Sequence, residues 1–549
     1  MRIYLINPRT IHAFTGWENA CRMVGKRYHS PPLSMTTVAG LTPPEHTVEL
    51  CDEHVQRIRW DTDADLIGIT GVHVQRRRML EIAQQFRARG KPVVIGGSSA
   101  TAMPAWYRSV ADVLILGEAE YLWPRFLRDF AAGSWQETYR ETGQVDLKDS
   151  PPPRHDLLRI RDYLKIGIQT TRGCPFSCEF CDIITLFGQK VRTKSIDQVL
   201  TELEQAMSLG VHEFFIVDDN FIGHHPHAVS LLEAIHRMVR GVKRPPRFCC
   251  QATINLANDP AILQLMHDIG MCDVFIGIET PRVTSLRETK KHQNAVADLA
   301  RAVETIQSHG ISVTSGLMVG FDHDDTSIFH EQEAFIARAK IPFCLPSQLV
   351  ALPGTPLYAR MQREGRLSDT PETTDEAFGS TNIFGGTNII PKLMSRQELQ
   401  DGFVMMVRRL YAPEAFADRV LGELERVQRM SPSPRVNRLP GPMIWLGYAW
   451  VLLWFFCDEH PGPVLRLFWR VVRRVVVRHR PVAELGLARL IFYWHLHRRL
   501  SQPSWQPHPS PAPGHGQASR AMLALRQRPR ALQPVSAEDP APQLSLVNR

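Results

Sequence analysis

The stretch TTRGCPFSCEFCDI, residues 170–183, sets Cys174, Cys178 and Cys181 in a C-x3-C-x2-C spacing. It follows an apolar run that predicts a β-strand, and the Gly and Pro of RGCP predict a loop. A structural zinc ion takes four ligands, whereas a [4Fe–4S] cluster takes one thiolate per corner iron. Three thiolates would leave one iron of a cluster open to an external ligand. The alternatives are a zinc site completed by a distant histidine and a chance group of buried thiols.

The composition predicts a multidomain protein of the reducing cytoplasm. The 549 residues are 44% hydrophobic and 22% charged, and ten cysteines are too few for a disulfide framework. The amino-terminal MRIYLINPRT contains no apolar run typical of a signal peptide. The net charge of +8 is concentrated in residues 461–500, which hold nine Arg and one Glu. A nucleic-acid partner is not predicted, because the Trp-rich run 443–457 next to this basic segment would need burial first.

The first 135 residues predict a doubly wound, Rossmann-like α/β domain. Short apolar runs read as strands covered on both faces: IYLIN (3–7), TVEL (47–50), LIGIT (66–70), PVVIGG (92–97) and VLILG (113–117). Between the third and fourth runs, residues 76–90 predict an amphipathic helix that ends at Gly90. Residues 136–165, which include DSPPPRHD, predict a linker.

The remainder of the chain predicts a partial (β/α) barrel followed by a mostly helical extension. Residues 166–365 contain six candidate strands, which begin at IGIQTT and end at SQLVALPG, separated by helical patterns. Residues 366–440 predict helices and residues 441–500 predict amphipathic basic helices. The last segment, residues 501–549, is rich in proline and predicts disorder.

The run RGCPFSCEFC closely resembles the signature of the radical S-adenosylmethionine (SAM) superfamily. The resemblance implies that Cys174, Cys178 and Cys181 hold a [4Fe–4S] cluster whose open iron binds SAM. One electron from the cluster would cleave SAM to a 5′-deoxyadenosyl radical, which abstracts hydrogen from carbon. It assigns further residues to shielding the cluster or to contacts with SAM: Phe180, Arg192, Asp218, Asp219 and Glu279 of GIET. The alternative for each polar one is an ordinary solvated residue at the end of a strand.

The amino-terminal domain lacks the G-x-G-x-x-G fingerprint of dinucleotide-binding proteins. Together with the barrel, its small residues at strand ends resemble the cobalamin-binding radical SAM enzymes. The resemblance implies a set of residues that line the cobalamin nucleotide tail: Thr70, Val72, Gly96, Gly97, Thr101, Gly117 and Glu118. The cobalt-ligating motif D-x-H-x-x-G is not matched at His12, so no cobalt ligand is expected from that loop. His73 remains a candidate cobalt ligand, with a structural histidine as the alternative. The alternative is a degenerate Rossmann-like domain without a cofactor.

The helical extension resembles a branch of that family which includes enzymes that methylate hopanoid lipids. The resemblance implies a cobalamin-dependent C-methyltransferase that acts on an unactivated carbon of a lipid-like or secondary-metabolite substrate. It also implies an external one-electron reductant such as flavodoxin or ferredoxin. Two alternatives stay open: a cyclase or oxygen-inserting enzyme without methyl transfer, and a non-catalytic iron–sulfur or cobalamin-binding protein.

Two segments near the carboxyl terminus predict contact with the inner face of a membrane. The apolar run 443–457 has 15 residues. As a helix it would measure roughly 22 Å, shorter than a bilayer core of about 30 Å. In residues 464–479, four arginines form one helical stripe: Arg466, Arg470, Arg473 and Arg474. Such a helix is suited to a membrane interface with anionic lipid. The alternative is a helix packed on the body with a solvated arginine face.

Overall fold

The computed structural model describes residues 1–10, 17–141, 143–295, 298–368, 386–430, 441–458 and 461–501. Three parts of the chain for which predictions were made lie outside these ranges: His12, residues 369–385 of the predicted extension, and the Pro-rich residues 502–549. The predictions made for those residues therefore remain predictions.

The amino-terminal domain is built on a six-stranded, fully parallel sheet. Its strands are β1 (Arg2–Asn7), β2 (Thr47–Asp52), β3 (Leu66–Thr70), β4 (Val93–Gly96), β5 (Val113–Leu116) and β6 (Thr138–Arg140). They lie in the order β2-β1-β3-β4-β5-β6, so the chain reverses direction across the sheet between β1 and β3. In open α/β sheets, ligands bind outside the carboxyl ends of the strands near such a switch point. The predicted doubly wound architecture is confirmed.

The boundary predicted at residue 135 is too early. Thr138–Arg140 pairs in parallel with β5 and completes the first sheet, inside the segment predicted as a linker. This strand is three residues long and contains one buried side chain, that of Tyr139, so it lacks the apolar run that marked the other strands. The residues that follow form short 3-10 turns at Leu147–Asp149, His155–Leu157 and Ile160–Asp162.

The second sheet is also parallel and has six strands in the order β14-β13-β12-β11-β10-β7. They are β7 (Ile166–Ile168), β10 (Glu213–Ile216), β11 (Arg247–Ala252), β12 (Met271–Glu279), β13 (Ser312–Val319) and β14 (Cys344–Gln348). Between β7 and β10, the strands β8 (Thr171–Arg172) and β9 (Arg192–Thr193) form a short antiparallel ribbon. The predicted last strand, residues 347–354, is displaced, because the strand begins at Cys344 and the chain turns within LPGTP.

Helices cover both sheets. Those of the first domain are α1 (Glu18–Met23), α2 (Leu33–Leu41), α3 (Arg76–Arg87), α4 (Ser98–Ala102) and α5 (Ala119–Ala131). Those of the barrel are α6 (Ile183–Leu186), α7 (Ile196–Ser208), α8 (His225–Met238), α9 (Pro260–Ile269), α10 (Val283–Glu288), α11 (His292–Ala295), α12 (Leu299–Ser308), α13 (Ile328–Ala339) and α14 (Pro356–Arg363). The extension contains α15 (Arg396–Leu410), α16 (Pro413–Val427), α17 (Gly441–Phe456), α18 (Pro461–Arg478) and α19 (Ala483–Leu500).

The last helix inserts an arginine into the amino end of the barrel. The buried guanidinium of Arg489 donates to both carboxylate oxygens of Glu423 on α16, at 2.6 and 2.7 Å. It also lies 3.6 Å from Asp273, near the start of β12. Nearby, Arg247 at the start of β11 pairs with Glu484 of α19. The carboxyl-terminal helices therefore close the end of the barrel opposite the loops that follow the strands.

The arginine-rich helix is packed on the body along its apolar side. Its extent is as predicted, but Val464, Leu467, Phe468, Val471 and Val475 of α18 are buried against the body. The four arginines of the predicted stripe are exposed. The helix is therefore packed as in the alternative that the sequence left open, and membrane contact of its exposed face stays a prediction. Among the described residues, no helix is both long and apolar enough to cross a bilayer.

Candidate active site

The cysteine loop lies at the carboxyl end of the barrel, between the strands of the β8–β9 ribbon. Gly173 opens the loop with a φ of +99°. A Cβ at this position would lie 2.8 Å from the carbonyl oxygen of Lys190 and 3.1 Å from that of Gly188. Only glycine combines this backbone conformation with so close an approach of the returning chain. The loop that carries the thiols is therefore held tightly at its base.

The three thiols lie close together, because Cys178 raises the pKa of both Cys174 and Cys181, and Cys174 raises that of Cys181. Burial is the main cause of the raised pKa of Cys174, Cys178 and Cys181, and it brings that of Cys181 to about 12. Among the described residues, no three His, Cys, Asp or Glu side chains are arranged around a single metal ion. A [4Fe–4S] cluster binds each thiolate through a different iron, so its ligands need not converge on one point. Three neighbouring, half-buried thiols fit such a cluster.

An apolar shell surrounds the thiol loop. Phe180 is buried and its ring centroid lies 6.3 Å from that of Phe321, which follows β13. Cys178 and Phe180 belong to one apolar cluster with Leu349, Ala351, Leu357, Met361 and Ile389. On the outer side, Arg360 of α14 donates to Glu179 at 3.0 Å. The predicted shielding role of Phe180 is consistent with this position, because the shell limits the access of water to the thiols.

Asp218 and Asp219, which follow β10, hold the base of the loop. The buried Asp218 carboxylate accepts from the Thr170 amide at 2.6 Å and the Thr171 hydroxyl at 2.9 Å. Asp219 accepts from the Gly173 amide at 2.8 Å, and burial raises its pKa to about 6. Both carboxylates are thus engaged by residues directly before the cysteines. Their predicted contacts with SAM remain untested, and their observed partners indicate that they position the loop.

Glu279 ends β12 in a left-handed conformation, with φ of +63°, which is uncommon for a residue other than glycine. Its carboxylate pairs with the buried ammonium of Lys291. Burial opposes the charge of Lys291, but Glu279 and Cys178 outweigh it and raise the lysine pKa. A Cβ at Gly277 would lie 2.8 Å from Lys291 Nζ, so this glycine leaves the space that the pair occupies. The strained strand end places one anionic and one cationic group beside the thiols.

A buried ion-pair network joins the first domain to the cysteine loop. Glu118, just after β5, pairs with Arg172 and accepts from Arg192 Nη1 at 2.8 Å. Arg172 also donates to Glu120 at 2.9 Å. Arg192 donates to the carbonyl oxygen of Val145 at 2.8 Å as well. Arg192 was expected to bind the SAM carboxylate, but in the structure its guanidinium is turned to Glu118, because the ribbon brings it against the first domain.

The carboxyl edge of the first sheet is formed by small, uncharged residues. Gly96 ends β4, Gly97 follows it, and Gly117 follows β5. These glycines line a narrow cleft with Thr70. At Gly97, with φ of +94°, a Cβ would lie 2.8 Å from Thr70 Oγ1. Thr101 Oγ1 lies between the two turns, donating to the Gly97 carbonyl and accepting from the Gly117 amide, both at 2.9 Å.

The cleft between these turns is apolar and narrow. It has a volume of about 60 Å³ and is lined by Leu5, Gly68, Ile115 and Trp123 in addition to the strand-end glycines. A cavity of this size holds only a few water molecules, so it is the inner end of a ligand site and not the whole of one. The residues present fit the flat end of a cofactor tail, because side chains larger than hydrogen would fill the cleft at Gly96 and Gly97.

Two further residues lie where the domains meet. Val72 is 49% exposed at the rim of the first sheet, and His73 follows it in a 3-10 turn, His73–Gln75. The ring of His73 is buried beside Trp106 and Ser99, and burial lowers its pKa. Asp182, directly after the last cysteine, is near enough to act on His73 electrostatically. The carboxyl edges of the two sheets therefore face each other across the thiol loop.

Comparisons with known proteins agree with this arrangement. Residues 168–330 match the radical SAM superfamily, and residues 355–503 match a domain of unknown function, DUF4070. An uncharacterized methyltransferase, sll1242, of Synechocystis is 36% identical over 76% of this chain and 78% of its own. The hopanoid C-2 methylase of Rhodopseudomonas palustris is 33% identical over 67% of this chain and 71% of its own. These relatives cover most of both lengths.

The chain belongs to the radical SAM methyltransferases. The fold agrees with the solved structure of OxsB, a cobalamin-dependent SAM radical enzyme with aqua-cobalamin and SAM bound. That likeness has a TM-score of 0.58 at 15% identity and covers 90% of this chain and 79% of OxsB. The match to the radical SAM superfamily agrees with the predicted [4Fe–4S] cluster and SAM, and the predicted cobalamin agrees with the likeness of fold to OxsB, which was solved with aqua-cobalamin bound.

Three charged residues of the methyltransferase site were missed by the sequence analysis: Arg172, Glu120 and Lys291. Arg172 stands directly before the Gly of RGCP, and a cation next to a predicted cluster loop was a signal available from the sequence. Glu120 lies two residues after Glu118 and shares its partner Arg172. Lys291 lies in KKHQN, where no pattern indicates that it is buried against Glu279. Its position depends on how α10 and α11 fold back over the barrel.

Proposed function

We propose that this methyltransferase transfers a methyl group to an unactivated carbon of a lipid-like substrate. The proposal rests on one observation: the carboxyl edges of the two sheets face each other. One edge has the glycine-lined cleft at Gly97, the other has the thiol loop at Cys174, and the ion pair of Glu118 with Arg172 joins them. A carbon without a lone pair cannot attack a methyl cation, so a methyl source and a hydrogen-abstracting group must meet at one substrate. Because the two edges are joined, a methyl source at one and a hydrogen-abstracting group at the other could act on the same substrate.

When bound, the cluster with SAM supplies hydrogen abstraction, and cobalamin with a second SAM supplies the methyl group. The chain's own residues would provide binding, orientation and exclusion of water. Cys174, Cys178 and Cys181 would hold the cluster as thiolates, and Asp219 keeps their loop in place through the Gly173 amide. The apolar side chains of Phe180 and Phe321 would keep water away from a reactive radical.

The charged pair at the end of β12 is suited to bind the amino-acid part of SAM. Glu279 offers an anion for the SAM ammonium, and Lys291 offers a cation for its carboxylate. In the described structure the two groups neutralise each other, so binding would exchange one internal ion pair for two pairs with the ligand. Glu279 and Lys291 would thus orient the amino-acid part of SAM beside the thiol loop.

The substrate class is supported by the relative at 33% identity, which is named for methylation of a hopanoid at C-2. The proposal includes a secondary-metabolite substrate within the same class of apolar carbon frameworks. It also includes an external one-electron donor, flavodoxin or ferredoxin, because the sequence has no second C-x2-C pair for another cluster. A lipid-like substrate favours a location at the inner face of the cytoplasmic membrane.

Anaerobic turnover tests the proposal. Purified, reconstituted enzyme with SAM and a chemical reductant is expected to form 5′-deoxyadenosine, and lipid extract is expected to gain a product heavier by about 14 Da, one methylene. A deletion strain compared with its parent identifies the substrate, because the methylated lipid disappears with the gene. A product without the added mass would favour the cyclase or oxygen-inserting alternative. Absence of 5′-deoxyadenosine would favour a non-catalytic binding protein.

A further inference from the structure

Helix α17 carries a broad apolar face that points away from the body. Its sequence, GPMIWLGYAWVLLWFF, contains no charged residue. Tyr448, Val451 and Phe455 are buried, whereas Leu446, Leu453 and Phe456 are 68%, 59% and 70% exposed. Met443, Trp445 and Trp450 are exposed by about half or somewhat less. An apolar face of this kind on a monomer indicates an interaction site, because such patches are rarely left to water.

The neighbouring helix α18 adds positive charge without any acid. A short connection joins the two helices, which pack against each other and turn their inner faces to α16 and α19. Arg466, Arg473 and Arg474 are exposed and form no ion pair with the described residues, whereas Arg470 pairs with Asp418 of α16. The outer side of the α17–α18 hairpin is therefore apolar on one helix and cationic on the other.

We infer that the α17–α18 hairpin docks the enzyme on an anionic membrane, with the apolar face of α17 inserted and the arginines of α18 on lipid phosphates. The apolar side of α18 is buried, so α17 is the inserted element. Charge complementarity selects this occupant: unpaired guanidinium groups beside exposed Trp and Leu match the headgroup region, where anionic groups border an apolar layer. The inference deepens the proposed function, on whose lipid-like substrate it rests.

The hairpin is far from the thiol loop along the barrel. Helix α19, against which it packs, contacts the amino ends of β11 and β12 through Glu484 and Arg489. The cysteines lie at the opposite, carboxyl ends. Changes on the outer face of α17 should therefore leave SAM cleavage intact. Truncation before α19 is unsuitable as a test, because it would remove Arg489 from the buried pair with Glu423.

Flotation with vesicles tests the inference. Full-length protein is incubated with vesicles of phosphatidylcholine containing one quarter phosphatidylglycerol, and with pure phosphatidylcholine, at low and high salt. We expect binding to the anionic vesicles that weakens in high salt. The apolar variant Leu446→Gln/Leu453→Gln/Phe456→Gln and the charge variant Arg466→Gln/Arg473→Gln/Arg474→Gln should each reduce binding, the latter by about a hundred-fold at low salt.

Matched controls change exposed residues elsewhere. Leu209→Gln/Leu393→Gln/Met405→Gln removes three exposed apolar side chains, and Arg108→Gln/Arg237→Gln/Arg240→Gln removes three exposed arginines. Both controls should bind vesicles like the wild type. The inference is overturned if the control variants bind vesicles as weakly as the hairpin variants do. It is also overturned if the wild-type protein does not bind anionic vesicles at low salt. A wild-type dimer that the apolar variant converts to monomer would also overturn it, because a second copy would then cover α17.

Production of 5′-deoxyadenosine and of methylated lipid separates this inference from the proposed function. Loss of vesicle binding with unchanged SAM cleavage in the hairpin variants is the expected pattern. If the wild type fails to bind vesicles yet methylates a lipid in detergent, the docking surface is wrong and the proposed function stands. If it binds vesicles but yields no methylated product, docking stands and the proposed function fails.

Discussion

The carboxyl edges of the two sheets differ sharply in chemistry although both sheets are parallel and six-stranded. The first edge presents Gly96, Gly97 and Gly117 with hydroxyl groups of Thr70 and Thr101, and its cleft is apolar. The barrel edge presents thiols and a buried Glu279–Lys291 pair. The first edge leaves a narrow apolar cleft, and the second supplies charge and thiols. Fold alone therefore does not decide what a parallel sheet binds; the strand-end residues do.

The largest effect is expected at the barrel edge. Cys174→Ala removes one of three thiolate ligands, so iron content should fall from about four atoms per chain to near zero. SAM cleavage should disappear with it, while cobalamin content should be retained because Gly97 and its cleft are unchanged. Iron assay, the absorption band near about 400 nm and cobalamin content after reconstitution check this. Cys457→Ala, at an exposed cysteine, is the control and should keep its iron. A full cluster in Cys174→Ala would contradict the assignment.

A substitution at the carboxyl edge of the first sheet should lower cobalamin binding and leave the cluster intact. Gly97→Ala places a Cβ 2.8 Å from Thr70 Oγ1 and 2.9 Å from the Gly71 carbonyl oxygen. Such strain costs about 1–3 kcal/mol and would displace the turn, so we expect roughly ten-fold or greater loss of cobalamin affinity. Iron content should be unchanged. Gly133→Ala is the matched control, because Gly133 also has a positive φ, of +68°, but its Cβ would meet no atom within 4 Å. If the two variants bind cobalamin with equal affinity, the cobalamin tail binds at another place in the protein.

The link between the edges should matter for stability. Glu118→Gln leaves Arg172 and Arg192 facing each other without the shared carboxylate, in a buried position. Removing one partner of a buried ion pair costs about 3–5 kcal/mol, so the free energy of unfolding in urea should fall by about 3 kcal/mol. Glu49→Gln, which removes the exposed partner of Arg59, should cost less than about 1 kcal/mol. Similar losses in both variants would show that the network is not a buried link.

The smallest effect concerns pH. Burial raises the pKa of Asp219 to about 6, above its value in the unfolded chain, so the folded state binds this proton more tightly. Ionisation therefore costs stability as pH rises. Relative to the wild type, Asp219→Asn should gain about 1 kcal/mol of unfolding free energy between pH 5 and 7.5. Asp61→Asn, at an exposed site, should show no such trend. A difference between Asp219→Asn and wild type that is independent of pH would contradict the raised pKa.

Local patterns predicted most of the fold and pointed to the thiol loop. The apolar runs of β1 and β3–β5 and the C-x3-C-x2-C spacing are visible in the sequence because each depends on neighbouring residues. The partner of Arg192 was not visible, because Glu118 lies 74 positions earlier and meets it only when the domains pack. The Glu279–Lys291 pair likewise depends on a left-handed strand end that no propensity indicates. Long-range ion pairs are fixed by packing and not by local sequence.

Arg489, which closes the amino end of the barrel, is synthesised long after the strand β12 that it contacts. Arg489 neutralises Glu423, which is fully buried, and lies beside Asp273 of β12. On a ribosome that adds about 5–20 residues per second, roughly 200 residues separate β12 from this helix, so the barrel waits about 10–40 s for its last partner. During that interval the amino end of the barrel is not yet covered by the last helix, and Asp273 lacks its cation. A nascent chain is therefore exposed to aggregation or proteolysis until α19 has emerged, and slow codons before residue 483 would lengthen that window.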